Sequence, residues 1–152
     1  MQIAKTFNEK ISKFCQVTLE ACAYAGSGNV LKVQEWLAAC GEHIETESGT
    51  GWKAMHQSMA VIGIALVAMT EELGASMIHR TMEHLLLYGK TPVRAAVPLA
   101  LALLNVSNPD IYPMDILSRL SHDSDTEVAR NAVLALGILG AGHSSISSKP
   151  YK

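Results

Sequence analysis

A short apolar pattern occurs four times in this 152-residue chain and constrains the fold more than any other feature. Each copy reads small, apolar, small, apolar or aromatic, and then apolar or small. The copies lie at residues 21–25, 63–67, 100–104 and 135–139, so their first residues are 42, 37 and 35 apart. A repeat of that length is typical of stacked helix pairs rather than of one globular core.

The two small residues in each copy predict how these helices pack. Residues two apart in an α-helix point roughly 200° away from each other. Gly63 and Ala65, or Ala100 and Ala102, therefore leave room on opposite sides of one helix. A run that is apolar all round is typical of a buried helix. We expect alternate helices to be packed tightly between like neighbours on both flanks.

The fold class predicted from this pattern is all-α. It is an α-solenoid of stacked antiparallel helix pairs with HEAT-like repeats. Residues 14–142 form the repeats, residues 1–13 a lead-in and residues 143–152 a disordered tail. The polar residues 42–52 form a surface loop, which explains why the first interval is the longest.

The spacing of the apolar residues places the individual helices. The helices span about residues 6–25, 30–41, 53–69, 74–88, 91–106, 113–120 and 125–139. The second helix is expected to bury Val30, Leu31, Val33, Trp36 and Leu37. The fourth is expected to bury Met77, Ile78, Thr81, Met82, Leu85 and Leu86.

Several helix ends carry start signals. Asn29 is a predicted N-cap, and Thr91 followed by Pro92 has the order of a cap and a first helical position. Ser124 and Glu127 have the spacing of a capping box.

Glycine and proline mark further breaks. The glycines after the first and last copies, Gly26, Gly28, Gly140 and Gly142, predict left-handed helix C-caps. Pro98 lies within a predicted helix, so we expect either a kink there or a later helix start.

The composition limits the classes of partner. Charged residues make up 17% of the chain, against about 25% in a typical protein. The net charge is −2 and the basic residues do not cluster, so neither nucleic acid nor a membrane is an expected partner. The longest apolar stretch, residues 60–69, is half of the roughly 20 residues that a membrane helix needs.

The cysteines and the N-terminus indicate the compartment. The three cysteines form no Cys-x-x-Cys motif and are interpreted as small buried residues in a reducing compartment. No apolar signal-peptide region follows the N-terminal lysines. We therefore expect a soluble protein of the cytoplasm and nucleus.

The histidines and carboxylates give no recognisable catalytic set. His79 and His84 are five residues apart, whereas helical zinc ligands lie three or four apart. The cluster from His122 to Asp125 is interpreted as a structural turn, and Glu71 with Glu72 as a solvated face. Surface or interface positions are the expected ones for the remaining histidines: His43, His56, His122 and His143.

Glycine loops and methionines also have structural interpretations. Residues 26–28 and 140–142 follow no predicted strand and lack the lysine of a phosphate loop. The methionines at positions 55, 59, 69, 77 and 82 are interpreted as packing residues. No catalytic, cofactor-binding or metal-binding residue is assigned, no cofactor is expected, and the sequence argues against an enzyme.

Ordered blocks of the chain resemble the proteasome/cyclosome repeat family. One block reads Cys-Ala-Tyr-Ala-Gly-Ser-Gly-Asn-Val-Leu-Lys-Val-Gln at residues 22–34. The other blocks are residues 60–69, 83–89, 94–103, 106–109 and 117–123. The resemblance covers about residues 14–142, in order, and corresponds to the later part of the family's repeat region. Residues 144–152 do not resemble it.

The resemblance implies an α-helical repeat region that forms an arc of a closed toroid and has no catalysis of its own. Such scaffolds lie in the base of the proteasome regulatory particle and contact the ATPase ring and other regulatory-particle subunits. They also bind ubiquitin, ubiquitin-like domains and a deubiquitinase. The family's best-defined ubiquitin-binding helices correspond to positions before residue 14, so no receptor residue is assigned here.

The repeat pattern by itself equally supports a free-standing helical-repeat adaptor of another complex. In either case a solenoid with uncapped ends exposes apolar faces. We therefore expect the isolated chain to associate with itself or to need partner repeats.

Overall fold

The computed structural model describes residues 9–42, 51–70, 72–106 and 111–141. These residues form seven α-helices and no strand. The helices are α1 Glu9–Ala23, α2 Val30–Gly41, α3 Gly51–Ala68, α4 Glu72–Tyr88, α5 Thr91–Asn105, α6 Ile111–Leu120 and α7 Thr126–Ala141.

The helices form two layers. The odd-numbered helices pack against one another in the order α1, α3, α5 and α7. The even-numbered helices form the second layer, and each of them packs mainly against the odd-numbered helix that follows it. This arrangement confirms the predicted α-solenoid.

The two middle helices of the first layer are enclosed by their neighbours. Ala65 in α3 and Ala100 and Ala102 in α5 have no exposed surface. A Cβ atom built on Gly63 would lie 2.6 Å from Cζ3 of Trp36, a fully buried residue of α2. The small residues of the middle copies therefore permit close helix packing, as predicted.

The turn between α1 and α2 also closes the end of α3. Gly26 and Gly28 have φ values of 69° and 62°, which confirms the predicted left-handed glycine conformation after α1. Their N–H groups donate to the carbonyls of Leu66 at 2.7 Å and Val67 at 3.0 Å. The Thr70 hydroxyl donates back to the carbonyl of Gly26 at 2.8 Å. One turn thus satisfies carbonyls that α3 cannot pair within itself.

The last copy ends differently. Helix α7 continues through Gly140 to Ala141, so the prediction that Gly140 ends this helix is wrong. Gly142 and the predicted tail at residues 143–152 lie outside the residues described.

Polar side chains join helices both between the layers and within the first layer. The Nε2 atom of buried Gln57, in α3, donates to the carbonyls of Ala39 at 3.1 Å and Glu42 at 3.0 Å. It thereby caps the C-terminus of α2, where carbonyls have no intrahelical partner. In the first layer, Asn131 of α7 donates to the carbonyl of Ala95 in α5 at 2.7 Å.

Pro98 lies inside a continuous α5, so the alternative of a later helix start is wrong. Proline cannot donate to the carbonyl four residues before it, here that of Arg94. The side chain of Asn131 donates to the adjacent carbonyl, that of Ala95. Pro98 is fully buried. The packing of its side chain against neighbouring helices therefore offsets the loss of this backbone hydrogen bond.

One predicted helix start in the middle of the chain is confirmed and two need correction. Asn29 caps α2 as expected, with Oδ1 accepting from Leu31 N and Lys32 N. The residue before α5 is Lys90 rather than Thr91, so Thr91 is already helical. Helix α6 begins at Ile111, two residues before Pro113, because proline is tolerated throughout a first turn whose N–H groups have no helical partner.

The N-cap of α7 is Asp125 rather than Ser124. The Asp125 carboxylate accepts from Glu127 N at 3.0 Å. A carboxylate directly before the first turn also interacts favourably with the helix dipole, which a neutral serine does not.

The remaining differences concern boundaries. Helix α1 lies within the predicted span of residues 6–25, and α3 includes residues 51–52 of the predicted loop. Residues 43–50 of that loop lie outside the described part of the chain.

Candidate interaction surfaces

The structure places His79 and His84, the two histidines of α4, in different surroundings. The Nε2 atom of His79 is hydrogen-bonded to the Asn105 side chain, with 3.1 Å to its Oδ1 and 2.9 Å to its Nδ2. His84 is exposed, and its ring lies 4.8 Å from that of Tyr88. In the part of the chain that the structure describes, no three His, Cys, Asp or Glu side chains come together as metal ligands.

The cluster from His122 to Asp125 is a turn with structural hydrogen bonds. Asp123 accepts from Arg94 Nη2 at 3.2 Å and from Asp125 N at 2.9 Å, while Asp125 caps α7. His122 is exposed. The two carboxylates are therefore engaged in joining α5 to the start of α7. The side chains of Glu71 and Glu72 lie outside the residues described.

The glycine turn at residues 26–28 also has a structural use. The N–H groups of Gly26 and Gly28 donate to α3, whereas a phosphate loop directs such groups towards its ligand. The structure thus explains both glycines through the stacking of helices.

A charged group joins α1 to α2. Lys32 Nζ lies 2.9 Å from Oε2 of Glu20 and 2.9 Å from Oε2 of Glu35. Hydrogen bonds from Lys32 and then Gln16 lower the pKa of Glu20. The hydrogen bonds to Glu35 and Glu20 raise the pKa of Lys32. Through Glu20, this cluster links α1 to α2.

The buried cysteine is poorly suited to nucleophilic chemistry. Burial raises the pKa of Cys40 to about 11, so its thiol is protonated at neutral pH. Cys15 is half-buried and Cys22 is exposed, which corrects the prediction that all three cysteines are buried.

Large apolar side chains are exposed on six of the seven described helices, and apolar residues line three surfaces. The first is the outer flank of α7, with Val133 and Leu134. The second is a shallow groove across α3, α5 and α7, which includes Ile62 and Leu99. The third is the outward side of α4. No described helix is long and apolar enough to cross a membrane.

Several of these exposed residues were expected to be buried. Val30 and Leu31 are 65% and 76% exposed, and Met77 is 72% exposed. Met55 is also exposed, whereas Met82 is fully buried. The interpretation of the methionines as packing residues is therefore confirmed for Met82 and wrong for Met55 and Met77. Helical spacing predicts that an apolar residue lies on an apolar side of its helix. It does not predict whether that side is covered by a neighbouring helix, by another protein or by water.

Known proteins match this chain over nearly its whole length. It is 57% identical, over 93% of its residues, to the 26S proteasome non-ATPase regulatory subunit 2 homolog A of Arabidopsis thaliana. This chain is homologous to the 26S proteasome non-ATPase regulatory subunit 2. The Dictyostelium discoideum subunit of that name is 49% identical over 93% of the chain. The 26S proteasome regulatory subunit rpn1 of Schizosaccharomyces pombe is 40% identical over 95%.

The chain spans about 15% of the length of these relatives. No protein-family profile matches it. The match confirms the resemblance drawn from residues 14–142, and it agrees with an all-helical repeat structure. The relatives are named as regulatory, non-ATPase subunits of the proteasome.

Proposed function

We propose that this chain is a non-catalytic scaffold segment of the base of the 26S proteasome regulatory particle. In this role it supports ubiquitin-dependent protein degradation through protein–protein contacts. The observation that carries the proposal is the 57% identity over 93% of the chain to a non-ATPase regulatory subunit.

Two features of the structure support a scaffold role: hydrogen bonds between buried parts of the helices, and exposed helix faces. The amide nitrogens of the buried Gln57 and Asn105 donate to carbonyls or side chains of the surrounding helices. The two layers leave exposed helix faces, and a scaffold acts through such faces. The proposed partners are the proteasomal ATPase ring and other regulatory-particle subunits, with ubiquitin or ubiquitin-like domains reached through a full-length subunit. The proposed location is the cytoplasm and nucleus.

Affinity purification of the whole chain from its native cells tests this proposal. We expect proteasomal ATPase subunits to be enriched about tenfold or more over a Gly63→Val variant, whose helix stack is disrupted by a clash with Trp36. Quantitative mass spectrometry of the purified complexes measures the enrichment.

A stable complex that contains no proteasome subunit would overturn the proposal and support the free-standing helical-repeat adaptor instead. Recovery of the folded chain without any partner would also count against it. Circular dichroism of the purified chain shows whether it is folded in that case.

A further inference from the structure

The outward side of α4 differs from that of the other even-numbered helices. Five of its exposed residues, between position 77 and position 88, recur at helical spacing and form one surface, here called the α4 face. They are Met77, Arg80, His84, Leu87 and Tyr88. Met77, Leu87 and Tyr88 are 72%, 75% and 74% exposed.

Helices α2 and α6 also expose large apolar residues, but these lie in their first turns, at Val30 and Leu31 of α2 and at Ile111 and Tyr112 of α6. Beyond those turns their exposed residues are smaller or polar. Beyond its first turn, the outward side of α2 carries Gln34, Glu35 and Ala38. That of α6 carries Asp115 and Arg119, which pair with each other at 2.7 Å. The solenoid therefore does not need apolar residues at this position. Because exposure of apolar side chains to water is unfavourable, their presence on α4 indicates a contact outside the stack.

The composition of the α4 face is typical of a protein interface. Tyrosine, methionine and arginine are enriched at the centres of such interfaces. The adjoining first turn of α6 extends the surface, because Tyr112 is half exposed and its hydroxyl donates to Glu83 of α4. That bond leaves Glu83 engaged at the edge of the face.

The charges of the α4 face indicate the sign of the partner. Arg80 is exposed, and it forms no ion pair with a residue in the described ranges. His84 contacts Tyr88 rather than a carboxylate. The carboxylate of Glu83, at the edge of the face, accepts from Tyr112. A partner with a carboxylate opposite Arg80 would complement this surface.

We propose that the α4 face docks the apolar side of an acidic amphipathic helix of a partner protein. Residues 77–88 present a straight helical ridge about 16 Å long, and a second helix can pack against such a ridge. No strand edge is available for strand addition in residues 9–42, 51–70, 72–106 and 111–141. The inference deepens the proposed function and rests on it, since it names the surface through which the scaffold makes one of its contacts.

Two other occupants fit the surface less well. An acidic membrane is held by several basic residues, each contributing about 1 kcal/mol, and this face has one arginine. A second copy of the chain would bring Arg80 against a surface that already carries the same charge.

Photo-crosslinking in native cells tests the proposal directly. A benzoylphenylalanine is placed at Leu87 in the whole chain, and at Leu31 in a matched control, because these leucines are 75% and 76% exposed. We expect the group at position 87 to capture an amphipathic helical segment with Asp or Glu beside the linked residue. Mass spectrometry of the crosslinked peptides identifies the segment.

Substitutions then test the chemistry with that segment as a synthetic peptide. We expect Leu87→Ser to weaken binding about tenfold, since a buried apolar anchor is lost. We expect Arg80→Glu to weaken it about fivefold at low salt and less at high salt. Leu31→Ser and Gln34→Glu on α2 should stay within about twofold. Fluorescence anisotropy measures the affinities, and thermal unfolding confirms that each variant remains folded.

Three results would overturn the proposal: equal capture from positions 87 and 31, capture of a second copy of the chain, or binding to phosphatidylserine vesicles that Arg80→Glu abolishes. If the chain purifies with proteasome subunits but position 87 captures no helix, the α4 face is rejected and the proposed function stands. If position 87 captures an acidic helix of a protein outside the proteasome, the proposed function fails while the docking chemistry remains.

Discussion

Helices α5 and α7 have similar sequences but different surroundings. Both bury four residues at the same spacing: Val93, Val97, Ala100 and Leu104 in α5, and Val128, Ala132, Ala135 and Leu139 in α7. On the opposite flank, Pro98 and Ala102 of α5 are buried, whereas the corresponding Val133 and Gly137 of α7 are exposed.

The comparison shows that the repeat pattern predicts which residues lie on each flank of a helix. It does not predict whether a neighbouring helix covers the second flank. Helix α5 lies between α3 and α7, whereas α7 contacts α5 and α6 among the described elements. Substitutions at corresponding positions should therefore have unequal effects, and the following predictions compare enclosed with exposed positions.

The largest effect is expected from removing a fully enclosed side chain. Leu101→Ala in α5 should lower the free energy of unfolding by about 3 kcal/mol, because it removes apolar contacts and leaves a cavity. Leu134→Ala in α7, where the side chain is 56% exposed, should change it by less than about 0.5 kcal/mol. Urea unfolding measures both values, and similar losses would contradict the difference between the helices.

A slightly smaller effect is expected from adding a side chain at a close contact. Gly63→Val should cost about 2 kcal/mol, because its Cβ would meet the Trp36 ring at 2.6 Å. Gly137→Val is the control, since nothing lies within 4 Å of a Cβ at that position. Thermal unfolding should show a lower midpoint for the first variant only; an unchanged Gly63→Val variant would mean that α2 and α3 are not packed this closely.

The start of α7 provides a test of intermediate size. Asp125→Ala should cost about 1 kcal/mol, because the bond to Glu127 N is lost. The neighbouring Ser124→Ala should have little effect, although the sequence predicts Ser124 as the cap. If Ser124→Ala proves the more destabilising in denaturant titration, the assignment of the cap is wrong.

The smallest effect concerns α1, at the other end of the first layer. The lowered pKa of Glu20 means that the bond to Lys32 stabilises the fold above the ordinary glutamate pKa, near 4.5. This contribution is lost as the pH falls below that value. Glu20→Gln should cost about 0.5 kcal/mol at pH 7 and almost nothing at low pH. Equal losses in stability at pH 7 and pH 3 would contradict this account.

The sequence predicts the enclosed residues better than the exposed ones. Trp36, Met82 and the residues of the second and third copies lie where the spacing places them. Leu31 and Met77 do not, because an apolar helix residue is compatible with a neighbouring helix, a partner protein or water, and spacing does not distinguish these. The α4 face could have been found from the sequence only as an excess of large residues around that helix.

Capping residues show a similar limit. Asn29 is recognisable because a single good cap precedes its helix. Before α7 two residues suited to capping, Ser124 and Asp125, are adjacent. Asp125 is the cap because the turn from α6 ends there and α7 begins at the next residue.

By itself the sequence determined an all-helical repeat structure, since the period of the small residues and their spacing in a helix are local properties of the chain. It also determined the homology to proteasome subunits. Only the tertiary structure decided which flank of each repeat is covered, and it brought the glycine turn after α1 to the carbonyls of α3. Such contacts join residues far apart in the chain, and their geometry depends on how neighbouring helices are placed.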